Sequence, residues 1–147
     1  MKLLSNELIM KYDYAKTKLK VEEFIRNFEE DYYKYVNLLP PSISSHLCEI
    51  KVQSSRNMTS DIEMYVIRKE KLENVFKENL DTILKVTDNF SMEEQRYFKG
   101  RYFLGNSDDV LFEELRCGET HFDHIKRSSI LKFALALNLA IPKIITP

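Results

Sequence analysis

The chain has 147 residues, which suits one domain or a small pair of domains, and 44% of them are hydrophobic, enough for a buried core. It holds only three glycines and four prolines, too few turn residues for a sandwich or a barrel, so the composition predicts an all-α fold. The net charge of −1 argues against a protein that is basic overall, so any affinity for nucleic acid must come from a local patch.

Cysteine usage and hydropathy point to one compartment. Cys48 and Cys117 lie in different segments and form no CxxC pair, which is typical of a reducing environment. The N-terminus has no apolar run long enough for a signal peptide, and the longest apolar run, within residues 133–141, is too short to span a bilayer. We therefore expect a soluble cytoplasmic protein without a membrane partner.

Apolar residues at helical spacing predict an N-terminal helical region over residues 1–39, formed by one long helix or two joined helices. The apolar stripe begins at Leu8, shifts its phase near Lys20 and continues to Val36. Pro40 and Pro41 end the region, because proline disfavours helix at the preceding residue and donates no backbone hydrogen bond.

A serine-rich linker is predicted over residues 40–58, with a short strand at 49–53 as an option, and a long central helix over 59–90. Ser60 and Glu63 match a capping box, so this helix should begin near Ser60. Together, the apolar stripe of this helix and the stripe over residues 21–36 offer more apolar surface than a monomer of a few helices needs for its core. The sequence therefore predicts a homodimer.

Residues 91–140 carry all three glycines and predict three helices separated by tight turns. Ser91 and Glu94 form a capping box, and the helix they begin should end at Gly105 and Asn106, residues that tolerate a left-handed conformation. Ser107 then caps a short helix, whose inward face includes Val110 and Leu111.

A turn containing Gly118 leads from the short helix to a long one, which Pro142 should end. A short helix, a tight glycine turn and a longer helix form a helix-turn-helix, the motif that presents the N-terminal end of a helix to the major groove of DNA. The predicted architecture is thus an N-terminal helical region, a central helix and a C-terminal helix-turn-helix DNA-binding domain over 91–140.

The candidate DNA contacts lie on the side of the last helix opposite Phe122 and Ile125, which should face the core. Arg127 suits bidentate contact with a guanine or a phosphate, and acidic side chains can accept a hydrogen bond from cytosine N4. The predicted DNA-binding residues are Ser107, Glu119, Thr120, His121, Asp123, His124, Lys126 and Arg127.

Two segments carry a family resemblance: Met92-Glu93-Glu94-Gln95-Arg96…Tyr102-Phe103 and His124-Ile125-Lys126-Arg127…Ala134…Leu137. With the serine-rich stretch 53–60, this pattern resembles the phage late-gene transcription activators of the RinA, ArpU and LtrC type. Their C-terminal halves are similar to the domain of sigma factors that recognises the −35 promoter element. The resemblance covers about residues 20–140. It implies sequence-specific binding to double-stranded DNA at a phage late promoter in a bacterial host, and activation through host RNA polymerase.

Several alternatives stay open or are disfavoured. Residues 91–147 contain eight basic and eight acidic residues, and this neutrality favours a different hypothesis, a helical adaptor that binds RNA polymerase or another regulator without contacting DNA. Cys117, His121 and His124 are three potential metal ligands without a fourth, so no metal is predicted. Motifs of phosphate loops, metalloproteases and serine hydrolases are missing, so no enzyme, cofactor or small-molecule substrate is expected. Base stacking by Tyr32, Tyr33 and Tyr35 is less favoured than packing.

Overall fold

The computed structural model describes residues 2–38 and 55–144, and it describes the backbone alone for 55–60. These residues form six α-helices and no β-strand, so the predicted all-α fold is confirmed. Most of the predicted linker, including the optional strand at 49–53, lies outside the described residues. The helices are α1 (Asn6–Ile9), α2 (Tyr14–Val36), α3 (Ser55–Thr87), α4 (Met92–Tyr102), α5 (Asp108–Leu115) and α6 (Glu119–Ala136).

The N-terminal region is two helices, one of the two options left open by the sequence. The Asp13 carboxylate accepts a hydrogen bond from the Lys16 backbone N–H at 3.1 Å, which satisfies a free donor at the start of α2. The Asp13 N–H itself donates to the carbonyl of Ile141 at 2.7 Å. The chain between α1 and α2 is therefore held in a non-helical path by contact with the C-terminal segment.

The long central helix, α3, begins at Ser55 rather than near Ser60. The capping box predicted at Ser60 is wrong, because an N-cap residue has a non-helical backbone and Ser60 lies inside the helix. The end of the helix at Thr87 agrees with the predicted region.

The capping box at the start of α4 is confirmed. Ser91 Oγ accepts from the Glu94 N–H at 3.1 Å, and Glu94 Oε1 accepts from the Ser91 N–H at 2.9 Å. The left-handed conformation predicted at Gly105 is also confirmed, with φ at 74°. However, α4 ends at Tyr102, three residues earlier than predicted.

Helix α5 begins as predicted, but α6 ends earlier than predicted. Ser107 caps α5 by accepting from the Val110 N–H at 3.4 Å, whereas the predicted inward position of Val110 is wrong, because its side chain is exposed. The end predicted at Pro142 is also wrong. Asn138 adopts a left-handed conformation, with φ at 58°, and the Leu139 N–H donates to the Ala134 carbonyl at 2.7 Å. This hydrogen bond satisfies a carbonyl group of the last helical turn, so the helix ends well before Pro142.

The chain divides into two compact units, and α2 and α3 each contribute to both. The first, Met1–Arg26 with Thr82–Pro147, is here named the core unit, and the second, Asn27–Asp81, the paired-helix unit. This division differs from the predicted segmentation in chain order, because residues near the N-terminus pack on α6. The rings of Phe98 and Phe133 stack at 4.8 Å at the centre of the core unit.

Gly100 allows a close approach within the core unit. A Cβ atom at this position would lie 2.5 Å from Cδ2 of Leu111, which is itself buried. The missing side chain on α4 therefore makes room for α5.

The paired-helix unit is held by aromatic packing. The ring of Phe76 lies 5.4 Å from Phe28, 5.3 Å from Tyr32 and 6.0 Å from Tyr35. Tyr32 and Tyr35 thus pack as favoured from the sequence, while Tyr33 contacts Tyr32 and remains exposed. No helix in the described ranges is both long and apolar enough to cross a bilayer.

Candidate nucleic-acid interface

The buried side of α6 fixes the orientation of its first turns. Phe122 and Ile125 belong to a core cluster with Tyr97 of α4 and Leu111 of α5. The Phe122 ring makes edge contacts with Tyr97 at 5.6 Å and with Phe112 at 5.2 Å. The prediction that Phe122 and Ile125 face the core is therefore confirmed.

The leading end of α6 is accessible. Arg116 takes a left-handed conformation in the turn after α5, and Gly118 is the N-cap of α6 without a side chain to close it. Glu119, Thr120 and Asp123 are exposed on the first turns. Ser107 is also exposed, at the start of α5.

The two histidines of α6 point to different neighbours. His121 Nε2 lies 2.7 Å from Glu93 Oε2, and His124 Nε2 lies 2.7 Å from the backbone carbonyl of Leu4. Cys117 packs against the core cluster and does not join the two histidines. Within residues 2–38 and 61–144, no three side chains of His, Cys, Asp or Glu gather around a common point that could hold a metal ion.

Residues 2–4 cover the side of α6 that carries His124. The Leu4 N–H donates to Ser128 Oγ at 2.7 Å, and Lys132 Nζ donates to the Lys2 carbonyl at 2.6 Å. Beneath this segment, the fully buried Glu94 accepts from Ser128 Oγ at 2.7 Å and from Lys132 Nζ at 2.6 Å. His124 is consequently only partly exposed, and its Nε2 atom faces the Leu4 carbonyl.

Lys126 is engaged by the first residue of α5. Its Nζ lies 3.0 Å from Asp108 Oδ2, and its side chain is only 21% exposed. The same carboxylate accepts from the Tyr97 hydroxyl at 2.9 Å and lies 3.4 Å from Arg101 Nε. Burial alone would raise the pKa of Asp108, but the hydrogen bonds from Lys126 and Tyr97 and the charge of Arg101 hold it below its ordinary value.

Arg127 is more accessible than Lys126, with a side chain 40% exposed. Its Nε donates to Asp123 Oδ2 at 2.9 Å, one helical turn away. Its Cζ lies 4.6 Å from the ring centroid of Tyr14, the first residue of α2. Burial raises the pKa of Tyr14, and the positive charge of Arg127 opposes that shift.

Sequence reasoning missed Tyr14 and Arg101 as neighbours of this surface. Both contribute through the tertiary fold: Tyr14 lies more than a hundred residues before Arg127, and Arg101 reaches Asp108 across the turn between α4 and α5. The apolar spacing around Tyr14 indicated only a buried helix face. No local signal in the sequence could have placed either residue beside this surface.

Comparison with protein-family models, curated proteins and solved structures found no match. The resemblance to phage late-gene activators therefore stays a prediction.

Proposed function

We propose that the chain is a sequence-specific DNA-binding activator of phage late genes, and that α6 is the helix that enters the major groove. The observation that carries this proposal is the exposed N-terminal end of α6, which follows a short helix and a tight turn and is oriented by the buried side chains of Phe122 and Ile125. Its site of action would be the cytoplasm of a bacterial host, at a late promoter used by the host RNA polymerase.

The distribution of charge supports the same proposal. The core unit, which contains α6, has 15 basic and 13 acidic residues, whereas the paired-helix unit has 7 basic and 10 acidic residues. The slightly negative chain therefore places its positive excess, a net charge of +2 against −3, in the unit that carries the candidate interface. Because this excess is small, we expect modest affinity from one module and a strong dependence on salt.

The proposal is tested by selecting bound fragments from a random library of DNA duplexes with the full chain. We expect one enriched sequence, and we expect Arg127→Ala to abolish the enrichment. Lys16→Ala is the matched control, since Lys16 is an exposed cation of the same unit on α2, and it should retain the enrichment. A wild-type chain that enriches no sequence at low salt would contradict the proposal.

A second candidate function is an adaptor that binds RNA polymerase or another regulator through protein contacts. The observation in its favour is that His121, Lys126 and Arg127 each already face a carboxylate, while Glu119 and Asp123 leave the exposed end acidic. Retention of purified RNA polymerase on the immobilised chain would favour this function if Arg127→Ala and Lys126→Ala leave retention and transcription activation unchanged.

We further propose that the chain forms a homodimer through the paired-helix unit. Ile62, Met64, Val66 and Ile67 of α3 are each more than half exposed, which is unusual for so many neighbouring apolar side chains. Two DNA-binding modules in a dimer would raise affinity through effective concentration. Sedimentation equilibrium should give twice the monomer mass for the wild type and for Arg68→Ala, and the monomer mass for Ile67→Lys.

A further inference from the structure

The cations near the exposed face of α6 differ in how many of their donors are already used. The ammonium group of Lys126 is held by Asp108, and the ring of His121 by Glu93. Arg127 makes its hydrogen bond to Asp123 through Nε. Within the described part of the chain, the two terminal nitrogens of Arg127, with four N–H groups, remain for a ligand.

Two contacts fix the plane in which those terminal nitrogens lie. Asp123 holds one edge of the guanidinium group at 2.9 Å, and the ring of Tyr14 supports its face at 4.6 Å. An arginine side chain that is already ordered loses less rotamer freedom when it binds, so it discriminates more sharply between ligands. Because Tyr14 belongs to α2 and Asp123 to α6, the support comes from two independent elements.

The neighbouring charges select among possible ligands. Glu119, Asp123 and Arg127 follow one another at four-residue spacing, so they share one face of α6. Two carboxylates on this face oppose a phosphate group. The edge of a guanine base is uncharged and presents O6 and N7, two acceptors at the spacing of two guanidinium donors.

We propose that Arg127 recognises a guanine bidentately in the major groove, and that Tyr14 is the positioning residue that orients it. This inference rests on the proposed DNA-binding function and names the base class that α6 distinguishes. Asp123 has the same orienting role from within the helix.

The test uses the site selected by the wild-type chain, with each guanine replaced in turn by 7-deazaguanine, which lacks the N7 acceptor. At one guanine we expect the substitution to weaken binding of the wild type by roughly 10- to 150-fold, the range of one lost hydrogen bond to a charged donor, since the O6 acceptor remains. The Arg127→Met variant should bind the normal and the substituted duplex equally, because methionine has a similar length but no N–H group to donate to O6 or N7.

The role of Tyr14 is tested with two apolar variants, one without the ring and one that keeps it. Tyr14→Leu removes the ring and should reduce the effect of 7-deazaguanine about threefold to tenfold relative to the wild type. Tyr14→Phe keeps the ring and should behave as the wild type. The Tyr14 hydroxyl is buried and makes no hydrogen bond within the described residues, so its removal should not destabilise the fold.

Each outcome separates the inference from the function it rests on. A wild-type chain that selects a site, yet binds every 7-deazaguanine duplex as tightly as the normal duplex, overturns the inference and leaves the proposed function intact. Sensitivity instead to a neutral methylphosphonate at one position, lost in Arg127→Met, would assign Arg127 to the DNA backbone and also overturn it. Failure of the wild type to select any site removes both.

Discussion

The two units of the chain differ sharply in how they bury their side chains. Every side chain that is almost fully buried among the described residues belongs to the core unit, whereas residues 27–38 and 61–81 of the paired-helix unit contain none. The core unit assembles short helices around Tyr97, Phe98 and Phe133. Two helices that meet along one seam, as in the paired-helix unit, cannot enclose a side chain on all sides.

This difference indicates which unit should be stable by itself and which unit would form the proposed homodimer. The core unit contains a hydrophobic centre together with a buried polar network, so it should keep its structure without help. The aromatic seam around Phe76 leaves large apolar side chains exposed on α3, which fits the proposed homodimer. Substitutions in the two units should therefore have unequal effects.

The largest expected effect comes from emptying the centre of the core unit. Phe98→Ala should lower the free energy of unfolding by about 3–5 kcal/mol, because a fully buried ring leaves a cavity. Phe76→Ala, the matched change in the paired-helix unit, should have less than half this effect because Phe76 is only partly buried. Denaturation in urea measures both. Equal losses would show that the two units do not differ in the way proposed.

Next in size is the buried ion pair of the core unit. Lys132→Met should destabilise the chain by about 3 kcal/mol, because it leaves the Glu94 carboxylate buried without its cation. The same change at the exposed Lys143 is the control and should have little effect. If the two variants unfold at the same urea concentration, the Glu94–Lys132 pair does not support the core unit.

A smaller and pH-dependent effect is expected at Asp108. Asp108→Asn should destabilise the chain by about 1 kcal/mol near pH 7. The effect is small because the Asp108 side chain is 33% exposed, so water partly screens its ion pair with Lys126. The pKa of Asp108 is lowered by folding, so the carboxylate stabilises the fold above its ordinary pKa and loses that contribution as pH falls through the lowered value.

The free energy of unfolding, measured from pH 7 to pH 2, tests this pH dependence. The difference between wild type and Asp108→Asn should be constant above about pH 5 and shrink in stronger acid. Asp109→Asn, at the adjacent exposed position, provides the control and should show less dependence. A difference that grows as the pH falls would reverse the assigned sign.

The smallest effect should come from the exposed pair on α3. Glu73 Oε1 lies 2.7 Å from Lys77 Nζ at (i, i+4) spacing. This hydrogen bond lowers the pKa of Glu73 and raises the pKa of Lys77. Because both groups are solvated, Lys77→Met should shift the unfolding midpoint too little to resolve in 0.5 M salt. A clear shift would indicate that this part of α3 is covered by a partner.

Local sequence signals determined much of the secondary structure. The capping box at Ser91 and Glu94, the cap at Ser107 and the left-handed Gly105 are each satisfied within a few residues, so their geometry needs no distant partner. Periodicity likewise identified Phe122 and Ile125 as the inward face of α6, because apolar spacing reports burial directly. The all-α fold follows from the same signals together with the composition.

The tertiary structure alone decided which side chains of the candidate interface are available. Residues 2–4 engage His124, Asp108 engages Lys126, and Tyr14 supports Arg127, all across long separations along the chain or between helices. Helical spacing predicts which face a residue occupies but carries no information about which distant group will meet it there. The sequence could therefore nominate the candidate residues, whereas only the packing of the described residues shows that Arg127 keeps two terminal nitrogens that none of them binds.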